Sequence, residues 1–426
     1  MSARHVIVVG ASLAGTRTAR ALREQGFTGR LTLVGDEPHP PYDRPPLSKR
    51  ILDGDRWTDA DGTVGDTAED LAEDLAEIAL PTVDDLDVEL RAGVAAVALR
   101  PADRTLLLTD GDRLRWDGLV VATGAAARPW PTPAPAGVHT LRTLDDARAL
   151  RRALAAPDAR LLVVGAGFLG SEVAAAAVRR GVPVTLVEAG TLPLVRAVGT
   201  AVGEFVARLH REAGIDLRTG TRVRSLTGTD RVTGAHLDDG THVPATVVLA
   251  ALGAVPRTAW LRGSGLLLDG AVVCDEFGRA LAEDGTVVPG VVAVGDASRR
   301  PHPLAPGTLH LGHWSAAVEH SALAARVLLR READGAPPEP PATVPSFWSD
   351  LHGVRIRSLG LPHLADEART VEYDPPGRRL VVSYHRAGEP VGVLAVNRAG
   401  RLAAHRPLLV EAVRAARRRA AVPPVA

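Results

Sequence analysis

The first residues able to do chemistry are the glycines of HVIVVGASLAGTRTARALREQG, at the start of the chain. Gly10 follows a short β-branched run and permits a tight turn, and Gly15 lets a helix start close against the strand. Ser12 stands where such loops carry a middle glycine and is small enough for close approach. With Leu13 and Ala14 it opens a helix whose first amides would face a pyrophosphate. The next apolar run, RLTLVGD, ends in Asp36, a carboxylate able to accept from ribose hydroxyls. The group recurs in RLLVVGAGFLGSEVAAAAVRRGVPVTLVEAG, with Gly165, Gly167, Leu169 and Gly170 in the turn and Glu188 closing the next strand. One such fingerprint is weak evidence; two complete ones in a single chain predict two dinucleotide sites. No arginine directly follows Glu188, and its charge would repel a 2′-phosphate, so NADH is expected over NADPH.

Each site needs a strand–helix–strand unit and a strand that returns to close it. DGLVVATGAAARP and ATVVLAALGAVP are apolar runs entering glycine turns and supply those returns. VPGVVAVGDAS is a further strand ending in Asp296, whose carboxylate either accepts from a ribityl hydroxyl or caps a following helix. The proline-rich EADGAPPEPPATVP reads as a linker into a last domain. At 426 residues the chain has room for two or three domains.

Composition excludes several classes. Net charge is zero, which argues against a nucleic-acid binder that relies on a basic field. No apolar run is long enough for a membrane span, and the first residues enter a strand at once, so a cytoplasmic location is expected. Cys274 is the sole cysteine, which excludes an internal disulfide, a CxxC pair and a four-cysteine cluster. The fourteen histidines show no metal-ligand spacing; His302, His310 and His313 read as turn and packing residues. Two asymmetries stand out. Twelve acidic residues and no basic one lie between Asp59 and Glu89, and every cation in the chain is arginine except Lys49.

That lysine lies in VGDEPHPPYDRPPLSK, and this stretch resembles the FAD-dependent ferredoxin, rubredoxin and putidaredoxin reductases of bacterial oxygenase systems. LRTLDDARALRRAL, HWSAAVEH, FWSDLHGVRIRSLG and VGVLAVNRAG extend the resemblance over nearly the whole chain. It implies an α/β fold of two Rossmann-like domains, for FAD (1–125 and 250–325) and NAD(H) (126–249), with a smaller α+β C-terminal domain (326–426). It places Asp36, Arg44, Ala96, Thr123, Gly124, Arg128, Asp296 and Trp314 against FAD with the first loop, and Gly253 with the second loop against NAD(H). Lys49 would face the flavin and pair with Glu172, these two being the catalytic candidates. A compact ammonium can approach the ring edge as a point charge where a planar guanidinium needs more room. No metal is implied.

Without a cysteine pair, electrons must leave directly from the flavin, and the resemblance makes a small acidic ferredoxin the acceptor. Arg299, Arg300, Arg355 and Arg357 are the candidates for its docking rim, and Trp314 is either near the exit or a core aromatic. A monomer or weak homodimer is expected, with no nucleic-acid or membrane partner. An NADH:quinone reductase or NADH oxidase, and a redox-sensing interaction module, are the competing readings. The acidic stretch departs from the family pattern. It reads as a solvated acidic face, or alternatively as a docking or gating element, with Leu71, Leu75 and Ile78 spaced for a short amphipathic helix.

Overall fold

Apolar β-branched runs alternating with alanine-rich helical stretches build two sheets in the computed structural model, which describes residues 4–53, 67–330 and 342–421. The first sheet runs Arg279–Leu281, Val287–Ala293, Gly118–Val121, His5–Val9, Arg30–Val34, Glu89–Arg91, parallel except at the first edge. The second runs Asp216–Thr219, Val184–Glu188, Leu161–Val164, Val247–Ala250, Val138–His139, all parallel. Their central strands are buried on both faces, which is why they read as unbroken apolar runs. His5–Val9 and Leu161–Val164 each lie between the next strand in sequence and a later return strand. Their carboxyl ends therefore open at the point where strand order reverses, the place where such sheets take ligands.

The chain crosses between the sheets twice. The crossings, Ala125–Ala127 and Ala254–Pro256, pair antiparallel as a short ribbon. Beyond it an antiparallel sheet runs Ser346–Leu351, Val354–Gly360, Glu389–Val396, Arg379–Arg386, Glu367–Asp374. Side chains alternate across its strands. Leu380, Val382 and Tyr384 pack with Phe205 and Leu209 of the helix Thr200–Glu212, while Val381, Val393 and Ala395 pack with Leu402, Leu409 and Val413 of the helix Ala399–Ala421. This is the α+β domain expected at the C-terminus.

Over its described part the acidic stretch is a solvated face, with most of its carboxylates exposed and one, Asp74, turned inward. Thr67 and Asp70 form a reciprocal cap that starts the helix Ala68–Ile78. Ile78 enters the core at 3% exposure, and Leu71 and Leu75 pack beside it. Asp74 is gripped by both terminal nitrogens of Arg151, at 2.9 and 2.8 Å. Paired in that way, a carboxylate can be buried. Residues 54–66 of this region, with Trp57, and 331–341 of the linker lie outside the described residues. No helix among the described residues is long and apolar enough to cross a membrane.

Candidate functional site: two dinucleotide cavities meeting at Phe168

The two glycine loops are near copies in space. Gly10 has φ +118°, and a Cβ there would stand 2.1 Å from the carbonyl oxygen of Ala122; Gly165 has φ +105° and the same relation to Ala251, at 2.5 Å. Gly15 and Gly170 pack the helices onto their loops, a Cβ on either coming within 1.7 and 2.0 Å of the Gly10 and Gly165 carbonyl oxygens. Ser12 and Gly167 occupy the N-cap positions of Leu13–Glu24 and Phe168–Arg179, and neither supplies a side-chain cap. The first amides of both helices are left for a ligand.

A cavity of about 380 Å³ opens over the first loop. Gly10, Ser12, Leu13, Ala14, Asp36, Arg44, Lys49, Thr123, Gly124, Asp296 and Trp314 line it. A second cavity, about 990 Å³, is lined by Gly165, Gly167, Glu188 and Gly253. Leu169 and Glu172 belong to the second unit but face the first cavity. Phe168 lines both, so the two cavities meet at this residue.

Two of the expected residues lie off the first cavity's lining. Ala96 starts the separate meander Ala96–Arg100, Thr105–Leu108, Arg113–Arg115 and does not line the cavity; the amides of Gly93 and Val94 bond instead to Glu37 and Gly35 beneath it. Arg128 lies past the connecting ribbon with its side chain exposed, and its amide donates to Gly253 at 2.9 Å.

The charged groups of the first cavity come in pairs. Lys49 Nζ lies 2.7 Å from Glu172 Oε2, Arg44 2.5 Å from Glu37, and Arg142 2.8 Å from Asp296. Asp36 pairs with Arg257. Arg142 is aimed by its own helix start, where Asp146 accepts from its amide at 2.8 Å and caps Thr143. Asp296 therefore lies in the cavity wall and caps no long helix. The Trp314 indole donates to Asp43 at 3.0 Å, and its ring meets Trp348 edge-on at 5.7 Å. Burial pushes the Asp43 carboxyl above the usual range. In the second cavity Glu188 accepts from the amides of Ala166 and Gly190, at 2.8 and 2.7 Å, which fixes its orientation.

Phe168, Arg142, Phe347 and Trp348 lie inside stretches whose pattern was read, and their place beside the glycine loop or the cavity was the available signal. Nothing in the sequence marks Arg257. Cys274 is 1% exposed, lines neither cavity, and burial pushes its thiol up to about 11. The described residues hold no cluster of three or more metal-ligating side chains; burial holds His302 and His313 neutral, at about 4.

The profile of the pyridine nucleotide-disulphide oxidoreductase family matches residues 4–321. The chain belongs to that family. A reductase C-terminal profile matches residues 346–426, the antiparallel sheet and its helix. Putidaredoxin reductase of Pseudomonas putida is 34% identical over 84% of this chain and 80% of its own length. The ferredoxin reductase component of a Cupriavidus chlorobenzene dioxygenase is also 34% identical, over 84% and 81%. The solved covalent putidaredoxin reductase–putidaredoxin complex matches with TM-score 0.82 at 30% identity, covering 96% of this chain and 94% of that one.

The family uses FAD and a nicotinamide nucleotide. The residues present fit both groups: the helix-start amides are uncapped, and a Cβ on Gly167 or Gly253 would meet nothing within 4 Å, leaving room for a ligand backbone. The family's name refers to a disulfide, yet this chain has one buried thiol.

Proposed function

We propose that this oxidoreductase carries electrons from NADH through FAD to a small acidic ferredoxin-type iron–sulfur protein that serves an oxygenase or P450, in the cytoplasm. The observation that carries the reading is the pair of dinucleotide cavities joined at Phe168, with Trp314 and Trp348 and no thiol on the first cavity's wall. The names of the similar proteins support the acceptor class. In this reading residues 1–125 and 250–325 hold FAD, 126–249 hold NAD(H), and 326–426 contribute to the acceptor side.

When bound, FAD takes two electrons from a hydride and can release them singly. The chain's own task is placement. Helix-start amides would hold the two pyrophosphates, Asp36 and Glu188 would offer acceptors to the riboses, and Glu172 holds the Lys49 ammonium at the cavity. Phe168 covers the junction that a nicotinamide ring must reach.

The test is direct. Purified protein should be yellow, release FAD on denaturation, and reduce a plant-type or adrenodoxin-like ferredoxin with NADH. A stable colourless protein that takes up no FAD would end this reading. Rapid turnover of a quinone with no ferredoxin reduction at any ionic strength would replace the acceptor.

Glu188→Ala is expected to narrow the preference for NADH over NADPH by roughly tenfold or more, since it removes both a ribose acceptor and a charge opposing a 2′-phosphate. kcat/KM for both nucleotides in wild type and variant measures this. A preference unmoved by the change assigns discrimination elsewhere.

The docking rim needs one revision. Arg300 is 8% exposed and donates to the Ala293 carbonyl at 2.7 Å, so it cannot meet a partner. The strand Ser298–Pro301 alternates faces and turns Arg300 inward. Arg357 is better placed, being directly across the strand pair from Trp348. Arg357→Glu should slow ferredoxin reduction at low salt by about tenfold and flatten its salt dependence, with ferricyanide reduction unchanged. Equal slowing with ferricyanide would show that the substitution disturbs the flavin instead.

A further inference from the structure

The Glu172 carboxylate joins three parts of the molecule. Ser48 Oγ donates to Oε2 at 2.5 Å, Lys49 Nζ meets the same oxygen at 2.7 Å, and Ser349 Oγ donates to Oε1 at 2.5 Å. Ser48 closes the turn Pro45–Ser48 of the first unit, Glu172 lies in the helix Phe168–Arg179 of the second, and Ser349 is on the first strand of the C-terminal sheet. Exposures are 4% for Ser48, 6% for Glu172 and 0% for Ser349.

A buried ion pair is held well only when its remaining lone pairs also find donors. A hydroxyl fills that need without altering net charge. Position matters as much as charge. A further cavity of about 560 Å³ also reaches the pair, and Arg50, Glu77, Arg179, Asp350 and Arg355 line it. Glu172 released on its Oε1 side would have other cations to turn toward, and Lys49 would follow or lose its partner.

We propose that Ser349 is a positioning residue through which the C-terminal domain fixes the Glu172 carboxylate and, with it, the place of the Lys49 ammonium at the flavin cavity. The inference rests on the flavoprotein reading above. It makes the third domain part of the hydride-accepting site as well as a surface for the acceptor.

Because Lys49 is the chain's only lysine, its surroundings can be followed without any cofactor. In apoprotein treated with an acetylating reagent and read by peptide mass spectrometry, Ser349→Ala should label Lys49 about tenfold faster, the scale of one charge-assisted hydrogen bond. In the FAD-loaded protein, reduction by NADH in stopped flow should slow by a similar factor. Adding Ser349→Ala to Glu172→Gln should slow it no further, because the serine acts through the carboxylate. Ser358→Ala is the control: Ser358 is 1% exposed on the same sheet but donates to the Val393 carbonyl, and its loss should leave labelling and reduction unchanged. Unaltered labelling in Ser349→Ala, or additive losses in the double variant, overturns the proposal. If Ser349→Ala does not fold, Ser48→Ala removes the other hydroxyl from the same carboxylate and carries the same test. A wild-type protein that takes up no FAD would end the functional reading, while the labelling comparison would still judge the clamp.

Discussion

Lys49→Arg should slow reduction of the flavin by NADH about a hundredfold, a barrier increase of about 2.7 kcal/mol. Charge is conserved in this variant and shape is not. Lys49 reaches Glu172 from behind two prolines, in a 3₁₀ turn whose hydroxyl at Ser48 already occupies the same carboxylate oxygen. A planar guanidinium directs its donors in a fixed fork and cannot share that oxygen as an ammonium does. Lys49→Ala is the harsher change. It leaves a carboxylate of 6% exposure without its cation, which costs about 3 kcal/mol of stability where partners are not replaced. Stopped-flow reduction and thermal melting separate the two effects. Wild-type reduction rates in Lys49→Arg would show that only charge matters there, and the lone lysine of this arginine-rich chain would need another explanation.

Gly10→Ala and Gly165→Ala should fail in different ways, although the two loops are alike. Each glycine has positive φ and touches a return-strand carbonyl, so a methyl group forces the loop away from its strand. Gly10→Ala should yield protein that is colourless or loses FAD on a desalting column, its retention reduced by a hundredfold or more. Gly165→Ala should remain yellow and accept electrons from dithionite, but with KM for NADH raised by a similar factor. The displaced amides would lie over different nucleotides. Loss of FAD from both variants, with normal NADH kinetics in whatever flavin remains, would contradict the assignment of the loops.

What could be read from the sequence is what is dictated locally. A glycine loop between a β-branched strand and a helix imposes its own geometry, and Gly10, Gly165 and the acids that follow needed no tertiary information. Partners brought together by the fold could not be read in this way. Asp36 meets Arg257 across 221 residues and Glu172 meets Ser349 across 177, and no spacing rule links either pair. Burial misled at Arg300, where arginine after a functional aspartate suggested an accessible rim but strand alternation turned it inward. One acid of the solvated helix departs from its neighbours for a related reason. Charge density marks a segment as solvated unless one of its acids finds a buried arginine, and Arg151 supplies that partner to Asp74 from another helix.

The ribbon formed by Ala125–Ala127 and Ala254–Pro256 has a consequence for exchange between relatives. Because the chain leaves and re-enters the first unit through neighbouring, mutually bonded strands, the intervening segment is an insertion with adjacent ends. If the proposed assignment of the two units holds, a cut and splice at the ribbon would transplant a whole nicotinamide module into a resident flavin scaffold, altering coenzyme choice without moving the other cavity's loop. The graft carries an obligation, since Phe168 and Glu172 travel with it. Compatible donors would bring an aromatic side chain and a carboxylate at those positions; a module lacking the carboxylate would strand Lys49 and both of the serines that now face it.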